Sequence, residues 1–192
     1  MVADLKGNDI AAVGVPVTGF IGYAPLGTSI PTPAEGADPD FVLPGAFKKL
    51  GLIKVDGGPK WSEAANGDAL EFWQEGYSIP TGLADVSVAA SLAETNENTR
   101  SFLTGKTADA NGYLERDGGG NAKHYVIFTE EIFKNGLIRR RVAPDANISA
   151  VDENQSTRGE VLGYDTTLKI NNSPLVGGGH YGEWYILPED AS

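Results

Sequence analysis

Residues 84–93 alternate without a break: Ala84, Val86, Val88, Ala90 and Leu92 fall on one parity, and Asp85, Ser87, Ala89 and Ser91 on the other. An extended chain turns successive side chains to opposite faces, whereas a helix would scatter both sets around its axis. The segment is therefore a half-buried strand, and its apolar face must pack against another layer. Residues 160–170 alternate in the same way through Leu162, Tyr164, Thr166, Leu168 and Ile170. Segments 124–133 and 137–142 read as two more strands, joined by Asn135-Gly136, the strongest short hairpin signal in the chain. A last strand, 183–187, follows the glycine run 177–179. An earlier one, 13–23, is rich in Val, Ile, Phe and Thr but interrupted by Pro16 and glycines, which predicts an edge or a bulge.

Such strands need turns, and the chain supplies 25 Gly and 11 Pro among 192 residues. That length suits one domain, 1–192, better than two. Its expected parts are an N-terminal arm 1–12, long loops 25–46 and 56–67, one helix region 95–105 and a C-terminal tail 188–192. The loop 25–44 holds five of the eleven prolines and little apolar periodicity. Segment 47–55 is apolar again, and Asp56-Gly57-Gly58-Pro59 then turns the chain into a polar stretch ending at Gly67, so strand, turn and second strand fit there. Asn96 and its neighbours offer helix caps, and Gly105 offers a stop.

Several functional classes fall away on composition. With no cysteine, disulfide frameworks, thiolate metal sites and cysteine nucleophiles are excluded. No stretch reaches the roughly 20 apolar residues of a membrane span, and residues 1–16 lack a basic head with an apolar run, so a soluble, unsecreted protein is expected. The 26 acidic against 15 basic residues give a net charge of -11, which disfavours binding to phosphate backbones.

Apparent catalytic motifs have simpler explanations. Gly105-Lys106-Thr107 resembles the end of a phosphate-binding loop, but Arg100 stands where its first glycine belongs. Gly177, Gly179 and Gly182 have dinucleotide-binding spacing but precede a strand, not a helix. His124 and His180, the only histidines, lack an evident carboxylate constellation and read as packing or solvent contacts. The three glycosylation sequons, at Asn147, Asn154 and Asn171, are chance in a chain without a secretory signal. No catalytic residue, metal or cofactor is expected. Arg139-Arg140-Arg141 is the one basic cluster; alternation puts Arg139 and Arg141 on one face and Arg140 on the other, each a candidate partner for carboxylates of this subunit or a neighbour.

Taken in order, Val17-Thr18-Gly19 through Ala24-Pro25 with Gly27-Thr28 and Pro31-Thr32, then Leu50-Gly51-Leu52-Ile53 with Asp56-Gly57, then Ser91-Leu92-Ala93-Glu94-Thr95-Asn96 leading to Thr99, resemble the major tail tube proteins of long-tailed, siphovirus-type phages, particularly of actinobacterial hosts. Arg139-Arg140 with Val142-Ala143-Pro144, and Gly163-Tyr164-Asp165 with Thr167-Leu168, are similar to the family's closing strands. The chain departs from that pattern at 35–45 and in ending soon after Leu187 without the immunoglobulin-like domain of some relatives.

The resemblance implies a mainly β, sandwich or barrel-like subunit with one short flanking helix and long loops, six copies of which complete a β-barrel channel. It implies a non-enzymatic virion protein, assembled in the host cytoplasm, whose partners are itself, the tape-measure protein, the tail terminator and the baseplate or distal tail protein, with DNA passing unbound through the lumen and no membrane involved. The candidate self-assembly loops carry Pro25, Pro31, Pro33, Asp38, Pro39 and Pro44 in the first, and Asp56, Trp61 and Glu63 in the second, as arms that order only between rings. A rival reading is a β-sandwich module binding carbohydrate or a receptor on a virion or cell surface. It would call for clustered exposed aromatics, whereas Trp61, Trp73 and Trp184 are far apart in the sequence.

Overall fold

The structure, a computed structural model, describes residues 5–79, 82–116, 118 and 120–188. The first residues of the expected N-terminal arm, and all of the expected tail but Pro188, lie outside the described residues. In chain order the elements are β1 (Pro16–Pro25), α1 (Pro33–Ala37), β2 (Lys48–Lys49), β3 (Lys60–Asn66), β4 (Leu70–Glu71), β5 (Ser78–Ile79), β6 (Leu83–Leu92), α2 (Glu97–Thr104), β7 (His124–Phe133), β8 (Ile138–Glu153), β9 (Tyr164–Ile170) and β10 (Gly182–Ile186). An antiparallel sheet runs in the order β2-β1-β7-β8-β9-β6-β3, with β10 also on β8, while β4 and β5 form a sheet of their own. The fold is mainly β, as expected.

β8 is longer than the expected strand because it serves two neighbours in turn. Ile138 to Val142 pair with β10, and the strand from Ala146 onward pairs with β9. Pro144 sits at the changeover, where the register with β7 slips between Tyr125 and Ile127. A proline cannot donate to a ladder, and a bulge is where its missing N–H is tolerated. The irregularity expected in the first strand is also a register shift, between Pro16 and Thr18. The Asn135-Gly136 hairpin joins β7 to β8, with Gly136 at φ 83°.

β7 is buried along nearly its whole length, so both of its faces need cover. On one face Tyr125 and Ile127 join Ile21, Tyr23, Val86, Val88, Leu92, Leu168 and Ile170 in the main core. Helix α2 closes that core. It starts at Asn96, whose side chain accepts from the Thr99 N–H at 2.9 Å, and stops at Gly105 in the left-handed region. Its Phe102, wholly buried, lies 4.7 Å from the Tyr23 ring and 5.1 Å from that of Tyr125. On the other face Val126 and Phe128 form a second core with Ala24, Phe47 and Val142, covered by Ile30, Phe41, Leu43 and Trp184.

The cover over this second core comes from residues 26–47, expected as a free loop and found as a folded layer. Its centre is α1, a second helix where one was expected, opened by a capping box: Thr32 accepts from the Glu35 N–H, and the Glu35 carboxylate accepts from the Thr32 N–H at 2.8 Å. The Thr32-Pro33-Ala34-Glu35 sequence carries that signature, with Pro33 in the first turn. The Trp184 indole N–H donates to the Pro33 carbonyl at 3.0 Å, and a methyl group on Gly36 would stand 2.3 Å from the Trp184 ring, so only glycine fits. Arg140, its side chain 2% exposed, fastens the helix end: its guanidinium donates to the carbonyls of Gly36, Asp38 and Pro39 and to Glu130 at 2.6 Å. Five donors in a planar fork match this spread of acceptors, which an ammonium could not.

The segment after that layer curls the sheet. Lys48 and Lys49 pair with Tyr23 and Gly22 of β1, Leu50 donates to Ile21, and a few residues later Lys54 donates to Ser91 while Ala93 donates to Leu52 on the strand line of β6. β1 and β6 are far apart in the sheet order, so one short segment can reach both only if the sheet wraps around the main core. The remainder of the expected loop 56–67 is a turn followed by β3, which pairs with β6 from Lys60 to Asn66. Its polar composition fits an outermost strand with one face to solvent.

Two substitutions test these layers. Phe102→Ala should cost about 3–5 kcal/mol in urea unfolding, since it empties the contact between α2 and both tyrosines. Arg140→Ala should cost about 3–5 kcal/mol by leaving Glu130 and three carbonyls without their donor. Hydrogen exchange would then show faster exchange across 33–41 before any loss of protection in β7.

Candidate functional site

β6 keeps β9 as a partner only from Leu92 to Val86, and β3 runs on with it from Glu63 to Asn66. Past the rung Glu63–Val86–Ile170, β3 and β6 therefore leave the sheet as a two-stranded ribbon. Farther along the chain β4 and β5 form a ladder of their own, Leu70 with Ile79 and Glu71 with Ser78, and the Phe72 N–H donates to the Tyr77 carbonyl at 3.1 Å below a turn at Trp73 to Gly76. Isolated two-stranded hairpins are marginal in water. This one also exposes Leu70, Phe72, Trp73, Tyr77 and Ile79, with Trp73 at 97%. Five large apolar side chains on ten residues make a patch of the kind that marks a contact surface.

The root of the ribbon is held differently. Trp61 and Glu63 share a face of β3; the Trp61 ring lies 4.7 Å from that of Tyr181, and the Tyr181 hydroxyl donates to the Glu63 carboxylate. Burial, then the hydrogen bond and charge of Glu63, push the Tyr181 hydroxyl up to about 12. The Arg141 guanidinium stands 5.4 Å from the Trp61 ring centre and is paired with Glu183 at 2.5 Å.

Of the residues expected to form assembly loops, the structure brings Trp61 and Glu63 together at this root. Asp56 is in the exposed turn before β3. Pro31 is buried, Pro33 opens α1, Asp38 ends it, and Pro39 gives its carbonyl to Arg140, so these four belong to the folded outer layer. Pro25 ends β1 and Pro44 precedes Phe47, both exposed. The arginines alternate as expected. Arg139 makes two 2.9 Å hydrogen bonds to Glu131, Arg141 shares that face, and Arg140 points the other way. Each guanidinium already has a carboxylate of its own chain, and Arg140 has no surface to offer a neighbour.

Of the tip residues only Trp73 figures among the sequence expectations, in the rival binding-module reading, and none as part of an assembly arm. Their signal was Phe72-Trp73, two adjacent aromatics that break strand alternation between Asn66-Gly67 and Gly76 and so cannot both face one core. Elsewhere, His124 Nδ1 does meet a carboxylate, Asp145 at 2.5 Å. Among the described residues no group of three or more His, Asp or Glu could hold a metal ion. Gly105 is a helix cap and Gly177 ends a short 3-10 turn, which accounts for both glycine motifs.

Residues 6–172 match the family described as phage tail tube protein. That span takes in both cores, the outer layer, α2 and the ribbon with its root on β3. No curated protein matches the chain. With a family match over most of its length, on a mainly β subunit that presents an unpartnered apolar ribbon, the chain belongs to the phage tail tube protein family and is a structural protein of the tail.

Proposed function

We propose that copies of this chain close into hexameric rings, that the rings stack into the tail tube of a siphovirus-type phage of an actinobacterial host, and that the genome passes through the bore into the host cell. The observation that carries this reading is the ribbon. It leaves the sheet at Glu63 and Val86 and offers Phe72, Trp73 and Tyr77 to solvent, and in a self-assembling family the surface it meets is another copy of the same chain. A patch that docks at a different place on the next copy makes a heterologous contact, which closes into rings or runs on as filaments. In this role the ribbon, which starts inside segment 56–67 at Glu63, is an arm between subunits, while Ile30, Phe41 and Leu43 hold part of segment 25–46 against the subunit's own second core.

The protein has no catalytic task in this reading, and it takes no cofactor. Its net charge of -11 suits a conduit from which DNA is repelled and so slides. Part of the acidic surplus faces the bore. Assembly takes place in the host cytoplasm, and the tape-measure protein inside the tube, the terminator at one end and the baseplate or distal tail protein at the other are the remaining partners. The exposed Phe72, Trp73 and Tyr77 also give a carbohydrate- or receptor-binding module its one foothold, since stacking platforms for sugars are built from such side chains.

Electron microscopy of purified protein across a concentration series separates the two. Uniform hollow tubes are expected for the wild type, and Trp73→Ala should abolish them while changing the unfolding free energy of the subunit by less than about 0.5 kcal/mol. A strictly monomeric protein that binds glycans would instead favour the binding module. Because subunits of like charge repel, the concentration needed for tubes should fall as salt rises from about 0.05 M to about 0.5 M, where screening shortens to a few ångströms. Tubes held by surface ion pairs would respond in the opposite direction.

A further inference from the structure

A two-stranded ribbon has little to fix its direction, since twist and bend are least restrained where a ladder has no third strand. Here the third strand ends at Ile170, opposite Val86, and Val86 is opposite Glu63. Glu63 is thus the last residue of β3 on a rung that still reaches the sheet, and it is the residue that Tyr181 holds. Tyr181 belongs to the segment leading from β9 into β10 and so comes from the body, not from the ribbon. Trp61, two residues earlier on the same face, packs against the Tyr181 ring and the Arg141 guanidinium, which also stands 6.0 Å from the Tyr181 ring centre. Arg141 is in turn fixed by Glu183 on β10, with Glu131 of β7 at 4.0 Å. Another tie at this level, the ion pair of Lys169 with Asp85 at 3.8 Å, joins two half-exposed side chains and as a surface pair contributes little.

We propose that Trp61, Glu63, Tyr181 and Arg141 form a joint that aims the ribbon, making Glu63 and Tyr181 positioning residues for self-assembly. This rests on the reading of the ribbon as the arm between copies. The joint acts by cutting the orientations that the ribbon must give up on docking, so losing it weakens assembly without removing any contact at the tip. Its chemistry is local: one hydroxyl donated to one carboxylate, over a ring stack that stays in place when the hydroxyl is removed.

The test uses the full chain with Tyr181→Phe, Glu63→Ala and Glu63→Gln. Hydrogen exchange is read below the assembly concentration, and the minimum concentration for tubes is read separately. Tyr181→Phe and Glu63→Ala should exchange about three- to tenfold faster at amides 64–66 and 83–85, with β7 unchanged, and should raise the assembly concentration by a similar factor. Glu63→Gln, which keeps an acceptor for the hydroxyl, should stay near wild type in both. Unchanged exchange in the ribbon overturns the joint, and faster exchange with unchanged assembly overturns its positioning role. Should Trp73→Ala assemble like wild type, it is the tip contact that fails, and the exchange comparison still decides whether the joint holds the ribbon.

Discussion

The double burial of β7 organises this subunit. A strand with apolar side chains on both faces must have a layer on each side, and an antiparallel sheet with one wet face cannot provide that. The main core supplies one layer, through β6, β9 and α2. The other has to be made from the chain between β1 and β2, which contains little regular structure. That requirement explains why a proline-rich segment is fastened by a buried arginine. Irregular backbone laid over a core leaves carbonyls without ladder partners, and Arg140 collects three of them while Glu130 balances its charge.

The ribbon follows from the curl of the same sheet. Once residues 48–54 tie β1 to β6, the sheet wraps the core and β3 is left outside it, paired on one side only. Where β9 stops, β6 and β3 have no sheet left to follow. A chain under no assembly constraint would blunt such an extension with charge or bury its tip. This one carries Asp68, Glu71 and Glu75 on the extension but exposes Phe72, Trp73 and Tyr77 among them, so its tip keeps a large apolar surface.

The sequence was most legible where one periodicity had one consequence. The alternation at 84–92 and the Asn135-Gly136 turn correspond to β6 and the β7–β8 hairpin, and the caps at Asn96 and Gly105 bound α2. Legibility failed where one segment does two things. β8 changes partners at Pro144, so the proline hides a strand that runs on to Glu153. Residues 26–47 look like a loop because Ile30, Phe41, Leu43 and Phe47 reach the second core at irregular spacing, although Thr32 and Glu35 spell out the start of α1. The sequence places Trp61 and Glu63 in a loop, but Tyr181, which holds them, is more than a hundred residues away and nothing local announces the contact.

The distribution of satisfied and unsatisfied groups decides which force can bring copies together. The three arginines cannot drive it, since each would have to leave a carboxylate of its own chain before meeting another, and exchanging one ion pair for another gains little. Net charge opposes it, at -11 for every subunit added. Apolar area can drive it, and at the ribbon tip burying Phe72, Trp73 and Tyr77 is worth about 1.5–3 kcal/mol each before the cost of ordering. A ribbon whose direction is already fixed at its root has less of that cost left to meet. The apolar tip and the polar root are therefore two halves of one device: the tip supplies the attraction, and the root limits how much of it is spent on orientation.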